Sequence, residues 1–495
     1  MRRHIVGHKK NEKLKREDIT IVDTKIAKQS MMGTSLGNAM EWFDFGIYSY
    51  LAVTMGQVFF PEIDPSFRLI YAFATFAVAF IARPIGGLFF GMMGDRLGRK
   101  KVLAITLIMM AVATLSIGLI PSYDAIGIAA PTLLLIARLV QGFSTGGEYA
   151  GAMTFIAEST SDKKRGFMAS GLEVGTLVGF SAGAGLVTLF TFLLGDKTML
   201  EWGWRIPFFI AAPLGLIGFY FRNRLEETPA FEAMLKVEEE RSPASLKEIL
   251  IHHWKPLLIC IGIVLFYNTM SYMVLTYMPS YLSDELGYGE KKGLFLVLIV
   301  MIAMIPFVLA MGYWSDRIGR NRIVKGALIG TIILSIPALM MIGNGNSYTA
   351  FLGLFIIGIL LSAFQGALPA TLPSLFFTKV RYGSLAITYN VSTSIFGGTT
   401  PLVVAWLVSV TKNKMVPAYY LMAVCVIGLI IVAFFVKETA GRSLRGSAPA
   451  VDNASEIEQV LKSPDEALWW EEEVKHGNIN HSVMDSRQQN AENVR

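Results

Sequence analysis

The sequence predicts an all-α polytopic membrane protein of twelve transmembrane helices in two six-helix pseudo-repeats. Composition is the first reason. Of 495 residues, 53% are hydrophobic and 17% charged, with a mean hydropathy of +0.49, which is too apolar for a soluble chain of this length. The second is that apolar residues fall in blocks of about 20, the length that crosses a bilayer as helix. The third is a repeated loop, "GMMGDRLGRKKVL" at 91–103 and "GYWSDRIGRNRIV" at 312–324.

The blocks run 33–60, 68–92, 102–120, 131–156, 167–194, 205–222, 256–282, 293–314, 324–343, 348–377, 383–410 and 417–436. The first follows about thirty polar residues and has no small-residue cleavage site, so it is expected to remain as a span and not leave as a signal peptide. The domains expected are a basic N-terminal tail 1–32, a first bundle 33–222, a polar linker 223–255, a second bundle 256–437 and a C-terminal tail 438–495.

Orientation follows from lysine and arginine in short loops. "DRLGRKK", "SDKKRG", "SDRIGRNR" and "TKVRYG" share one side with the basic "HKKNEKLKR" of the tail, while "PEIDPS" and "PSYDAIG" opposite are poor in base. Both termini are expected in the cytoplasm. The formal net charge of +6 lies in these loops and the tail without interleaved aromatics, a pattern for anionic lipid and not for nucleic acid. Cys260 and Cys425 lie in separate spans and read as buried thiols, with neither disulfide nor metal.

A second internal parallel, "ESTSDKKRGFMASG" with "LFFTKVRYGSLAIT", falls between the fourth and fifth span of each half. Halves repeated in the same orientation imply a site between them and rocking around it.

Charged residues inside spans cost several kcal/mol and face protein or water. Glu41 and Asp44 lie in span 1, Arg83 in span 2, Arg138 and Glu148 in span 4, and Glu173 in span 5; the second half has no such mid-span charge. Asn38, Glu41, Asp44 or Phe45, and Tyr48 share one face of span 1, and Arg138, Gln141, Thr145 and Glu148 share one face of span 4. The two faces are expected to meet across a cavity. Four carboxylates against two arginines leave acids able to take up a proton. The proton-coupling set is therefore Glu41, Asp44, Arg138, Glu148 and Glu173; the alternative is permanent pairing with Arg83 or Arg138. Gly171, Gly175, Gly179 and Gly183 form a stripe on span 5 that reads as a packing face.

Aromatic faces hold onium groups without a formal negative charge. Asn38, Trp42, Tyr48, Tyr267, Asn268 and Tyr272 are the substrate-binding candidates, with Phe43, Tyr277, Tyr389 and Asn390 as further cage members; packing or lipid contact is the alternative for each. A dicarboxylate would want converging cations, so the pattern leans towards a zwitterion. In the repeated loops Asp95, Arg96, Arg99, Arg165, Asp316, Arg320 and Arg381 form the gating set, through helix N-termini and pairs across the halves. No nucleophile–base pair, metal cluster or phosphate loop points to an enzyme.

The residues Gly91, Gly94-Asp95-Arg96 and Gly98-Arg99-Lys100, with "ARLVQG" at 137–142, resemble the signatures of the major facilitator superfamily. "GNAMEWFDF", "QGFSTGGEYAGA", "EWGWRIPFF" and "LEETPAF" are similar to its metabolite:proton symporter family, with the nearest likeness, in "SLGNAMEWFDFG", "LTYMPSYLS" and "MVPAYYLM", to the branch importing proline and glycine betaine. The resemblance implies a symporter of a bacterial inner membrane that imports zwitterionic osmoprotectants by alternating access, driven by the proton gradient, with no cofactor and no protein partner. A proton symporter for an organic acid is the alternative, and a non-transporting sensor a third reading. The heptads of Ile457, Leu461 and Leu468 are too few for a coiled coil; a short amphipathic helix resting on the membrane through Trp469 and Trp470 is one expectation for the tail, and a regulatory partner site the other.

Overall fold

The structure, a computed structural model, describes residues 14–463 apart from 98, 147, 212, 214, 216–249, 252 and 379. Besides the short helices Tyr123–Ile126 and Ile457–Lys462, its helices are α1 (Thr24–Tyr50, resumed after a bend at Leu51 as Ala52–Phe59), α2 (Pro65–Leu97), α3 (Arg99–Leu119), α4 (Ala129–Ser144, resumed as Glu148–Ser159) and α5 (Arg165–Thr198). Then come α6 (205–211), α7 (Trp254–Tyr272, running on to Glu285), α8 (Glu290–Ile318), α9 (Arg320–Ile342), α10 (Ser347–Ser374), α11 (Arg381–Ser392, running on to Thr411) and α12 (Val416–Phe435). Most of the linker, and the tail residues Leu468, Trp469 and Trp470, lie outside the described residues.

Among the described residues, eight helices are long and apolar enough to cross a bilayer: α2, α5 and α7–α12. The other four fall short for local reasons. α1 carries its polar residues inward, with Asn38, Glu41 and Asp44 all buried; α3 has an apolar stretch of only Ile105–Leu119; α4 breaks at Thr145; and α6 is described only in part. Outward faces are apolar, as at Leu193, Ile333, Met340 and Phe434, each more than 60% exposed, which is what a lipid solvent selects.

Within the first half α1 lies on α5 and α2 on α4; within the second α9 lies on α10 and α12. The halves meet along α5 with α8 and α10, and along α2 with α11. α1 begins at Thr24, earlier than the expected 33, and the expected single span 131–156 is two segments.

The glycine stripe of α5 is a packing face. Cβ atoms built on Gly175 and Gly179 would fall onto the Ser35 and Ala39 carbonyls of α1, and the closeness lets the Ser35 hydroxyl donate to the Gly171 carbonyl at 2.6 Å. This contact sets the orientation of Trp42 and Glu173. Gly175→Ala and Gly179→Ala are expected to lower the melting temperature in detergent, with an overpacking cost of about 1–3 kcal/mol each. Gly185→Ala, where the nearest neighbour is Leu298 at 4.0 Å, leaves it unchanged.

Candidate functional site

Between the halves lies a narrow chamber with a cavity volume of about 20 Å³, walled by Trp42, Tyr149, Glu173, Thr176 and Phe180 from the first half and Tyr267, Asn268, Ser271, Tyr272, Leu275, Thr276 and Tyr389 from the second. Its aromatic wall is ordered. Trp42 stacks on Phe180 at 5.2 Å and meets Tyr272 edge-on at 5.9 Å, and Tyr149 stacks on Tyr389 across the halves at 4.6 Å. Asn38 sits one turn behind: it accepts from the Trp42 indole at 3.0 Å and donates to the Leu172 carbonyl at 2.9 Å and Thr176 Oγ1 at 2.7 Å.

Glu173 is the charged group of the wall and is 1% exposed. Tyr149 donates to one of its oxygens and Gln365 Nε2, from α10, approaches the other at 3.4 Å. The Tyr149 and Tyr267 hydroxyls lie 3.4 Å apart. The carboxylate therefore holds partners from both halves.

Glu41 and Asp44 line no part of this chamber. Glu41 forms a buried ion pair with Arg83, whose guanidinium stands 5.4 Å from the Phe80 ring and 5.8 Å from the Trp42 ring. Asp44 receives the Thr114 hydroxyl at 3.4 Å, Gln141 donates to that same hydroxyl at 2.7 Å, and Arg138 donates to Gln141 Oε1 at 2.7 Å. The Arg138 guanidinium rests 4.3 Å from the Tyr48 ring. The expected cavity between the faces of α1 and α4 is thus corrected: those faces touch, and the open space lies between the halves.

Three residues change place. Tyr48 donates to the Ala72 carbonyl at 3.0 Å beneath Arg138 and is no wall residue; Asn38 positions Trp42 from behind. Glu148, expected on the face of Arg138, starts the second segment of α4 after the break at Thr145 and is half-buried. Trp42, Tyr267, Asn268, Tyr272 and Glu173 do line the chamber.

At the end carrying the basic loops the halves are joined by charge. Asp316 of α8 accepts from the Gly166 and Phe167 amides at the start of α5, at 2.7 and 2.9 Å, and from Arg320 at 3.1 Å. Arg381 pairs with Glu158 of α4, and Arg165 with Asp162. The side chains of Asp95, Arg96 and Arg99 lie outside the described residues.

The segment after α12 crosses this end. Glu438 accepts from the Arg320 and Asn321 amides at 3.0 and 3.1 Å, while Arg165 and Arg381 donate to the carbonyls of Arg442 and Arg445 at 3.0 and 2.8 Å. The Ala450 amide donates to Asp162 at 3.0 Å, Lys164 pairs with Asp452 at 3.0 Å, and β2 (Ala450–Val451) runs parallel to β1 (Thr20–Ile21). Sequence reasoning missed this strap because its contacts are mostly made by backbone. It also missed Tyr149, Thr176, Phe180, Ser271 and Thr276, of which Tyr149, beside Glu148, had the plainest signal.

Residues 34–401 match the family described as Major Facilitator Superfamily. The chain is 47% identical over 96% of its length, and 94% of the relative's, to the glycine betaine/proline/ectoine/pipecolic acid transporter OusA of Dickeya dadantii (strain 3937). It is 46% identical to the proline/betaine transporter of Escherichia coli (strain K12), covering 97% of both. Among solved structures the proton:xylose symporter XylE bound to 6-bromo-6-deoxy-D-glucose shares the fold, with a TM-score of 0.66 and 19% identity over 85% of this chain and 98% of that one. With its described helices in two halves around a central chamber, this chain belongs to the major facilitator superfamily of membrane transporters.

Proposed function

We propose that the chain is a proton-coupled symporter importing small zwitterions of the proline and glycine betaine class by alternating access. It sits in a bacterial inner membrane, with the basic loops and both termini in the cytoplasm, anionic lipid around it and no cofactor. The observation that carries this reading is the chamber wall, which has six aromatic residues, one carboxylate and no cation among its described residues. Ring faces hold an onium group through their quadrupoles, whereas a dicarboxylate would meet Glu173 with no cationic wall residue to offset it. The names of the Dickeya and Escherichia relatives point to the same solutes.

Glu173 is the proposed carrier of the proton. An ionised carboxylate in a closed, largely apolar chamber is costly, and a proton taken up from outside removes that cost. The onium group rests on the aromatic faces, so one proton and one neutral zwitterion cross together. Asp44, Arg138, Gln141 and Thr114 form the hydrogen-bonded group that relays charge within the first half. Glu41, held by Arg83, supports Trp42. Glu148, at the break of α4, is the outlying member of the set.

Asp316, Arg320, Arg381 and Arg165, with the strap, are the proposed cytoplasmic gate. Asp95, Arg96 and Arg99 are proposed to serve it from the equivalent loop of the first half.

The test is uptake of labelled glycine betaine, proline and 2-oxoglutarate into liposomes holding the purified chain under an inward proton gradient. Uncoupler-sensitive accumulation of betaine or proline supports the reading; accumulation of 2-oxoglutarate alone overturns it in favour of an organic-acid symporter. Glu173→Gln is expected to cut gradient-driven accumulation at least tenfold while keeping exchange of betaine for betaine, because a permanently neutral side chain still closes but no longer releases a proton. Asp316→Asn together with Arg381→Gln is expected to lengthen spin-label distances between the α4–α5 and α10–α11 loops in the absence of substrate.

A further inference from the structure

The polar groups of the chamber fall into two sets. On one side each is engaged: Tyr149 donates to Glu173, the Tyr267 hydroxyl lies 3.4 Å from that of Tyr149, Thr176 accepts from Asn38, and Asn268 donates to Thr393 at 2.7 Å. On the other side Ser271, Tyr272 and Thr276 each bury a hydroxyl oxygen with no hydrogen-bond partner among the described residues. Tyr272 is 3% exposed and Thr276 is fully buried. A buried hydroxyl left unpaired costs about 1–3 kcal/mol, so three in one wall are a standing cost unless something fills them.

Backbone geometry puts them together. In a regular α-helix Ser271 and Thr276, five residues apart, would point about 140° from each other. α7 widens into a π-helical turn over Met273–Tyr277, and the wider turn brings the fifth residue back to the side of the first; such turns recur at functional sites. The sequence alone, read at a period of 3.6, separates these residues.

We infer that Ser271, Tyr272 and Thr276 form the subsite for the carboxylate of the transported zwitterion, a carboxylate-binding site made of hydroxyls. The inference rests on the functional reading above and adds to it the group that orients the solute. Each hydroxyl rotates to present one donor to an oxygen, and three neutral donors hold a carboxylate without introducing a charge that a net-neutral solute would leave unbalanced. The zwitterion is thereby aligned, its onium group on the rings of Trp42, Tyr149 and Tyr389 and its carboxylate on α7. Discrimination follows, since a solute lacking the carboxylate leaves the three hydroxyls buried and unpaired.

The experiment uses the full chain in proton-driven liposomes and measures KM and maximal rate for labelled glycine betaine. Ser271→Ala with Thr276→Val, and separately Tyr272→Phe, remove hydroxyls while keeping shape, and monodispersity in detergent checks folding. Each variant is expected to raise KM roughly tenfold or more, the scale of hydrogen bonds to a charged group, with the maximal rate within about twofold. Thr276→Ser, which keeps the hydroxyl, is expected to hold KM near that of the parent. A KM within twofold of the parent in both the double variant and Tyr272→Phe overturns the subsite while leaving the functional reading intact. A parent chain that accumulates neither betaine nor proline overturns the functional reading itself and the subsite with it.

Discussion

A carboxylate sealed between two half-bundles is the constraint around which the rest of the molecule is arranged. Glu173 is 1% exposed and takes hydrogen bonds from Tyr149 in the first half and Gln365 in the second. Separating the halves removes Gln365 and admits water, which solvates the ion; closing them restores Gln365 and expels the water. The cost of ionising Glu173 therefore differs between open and closed states, and in the proposed function that difference is the link between a proton and a conformational change. The aromatic wall enlarges it, because ring faces solvate a carboxylate far less well than the water they displace.

α5 carries that link to the end of the molecule. Its first amides, at Gly166 and Phe167, donate to Asp316 of the other half, an arrangement favoured by the positive end of a helix. Glu173 lies about two turns further along, roughly 10 Å on. The glycine stripe presses α5 onto α1, so the helix moves with Trp42 and not past it. A change in the partners of Glu173 is thus transmitted by one rigid rod to the Asp316 contact.

Much of this was legible in the sequence, and the exceptions have physical causes. The apolar blocks and the repeated loops gave the two-half bundle, because bilayer thickness fixes block length and a repeated loop marks a repeated half. Buried charges were legible as well, since Glu41, Asp44, Arg138 and Glu173 stand out in apolar surroundings. What they touch was not. A face shared at helical spacing placed Glu41 and Asp44 towards a cavity, yet Arg83 and the Thr114–Gln141–Arg138 group fill that side. Glu148 and Thr276 escaped for a common reason: a break in α4 and a π turn in α7 shift register by part of a turn, and a period of 3.6 assumes that neither occurs.

The two ends of the chamber are closed by unlike chemistry, and the difference sets a resting direction. At the basic-loop end, Arg320 and Arg381 are fully buried and Asp316 is 5% exposed in its side chain. Arg320–Asp316 lies within the second half, whereas Arg381–Glu158 and the Gly166 and Phe167 amides on Asp316 join the halves; separating them strips partners from buried charge, at a cost of several kcal/mol, and the strap adds the bonds from Arg165 to the Arg442 carbonyl and from the Ala450 amide to Asp162. At the other end the halves meet through Tyr50 on Met301 at 3.5 Å, Phe73 beside Tyr277 at 5.9 Å, and an ion pair of Lys291 with Asp196 at 3.6 Å. Asp196 is 71% exposed there, and exposed pairs contribute about 0–1 kcal/mol. The empty carrier therefore opens more cheaply on the side away from the basic loops, the side from which the proposed import would begin. Opening the basic-loop end needs the larger input, which in the proposed function comes from proton and zwitterion bound together.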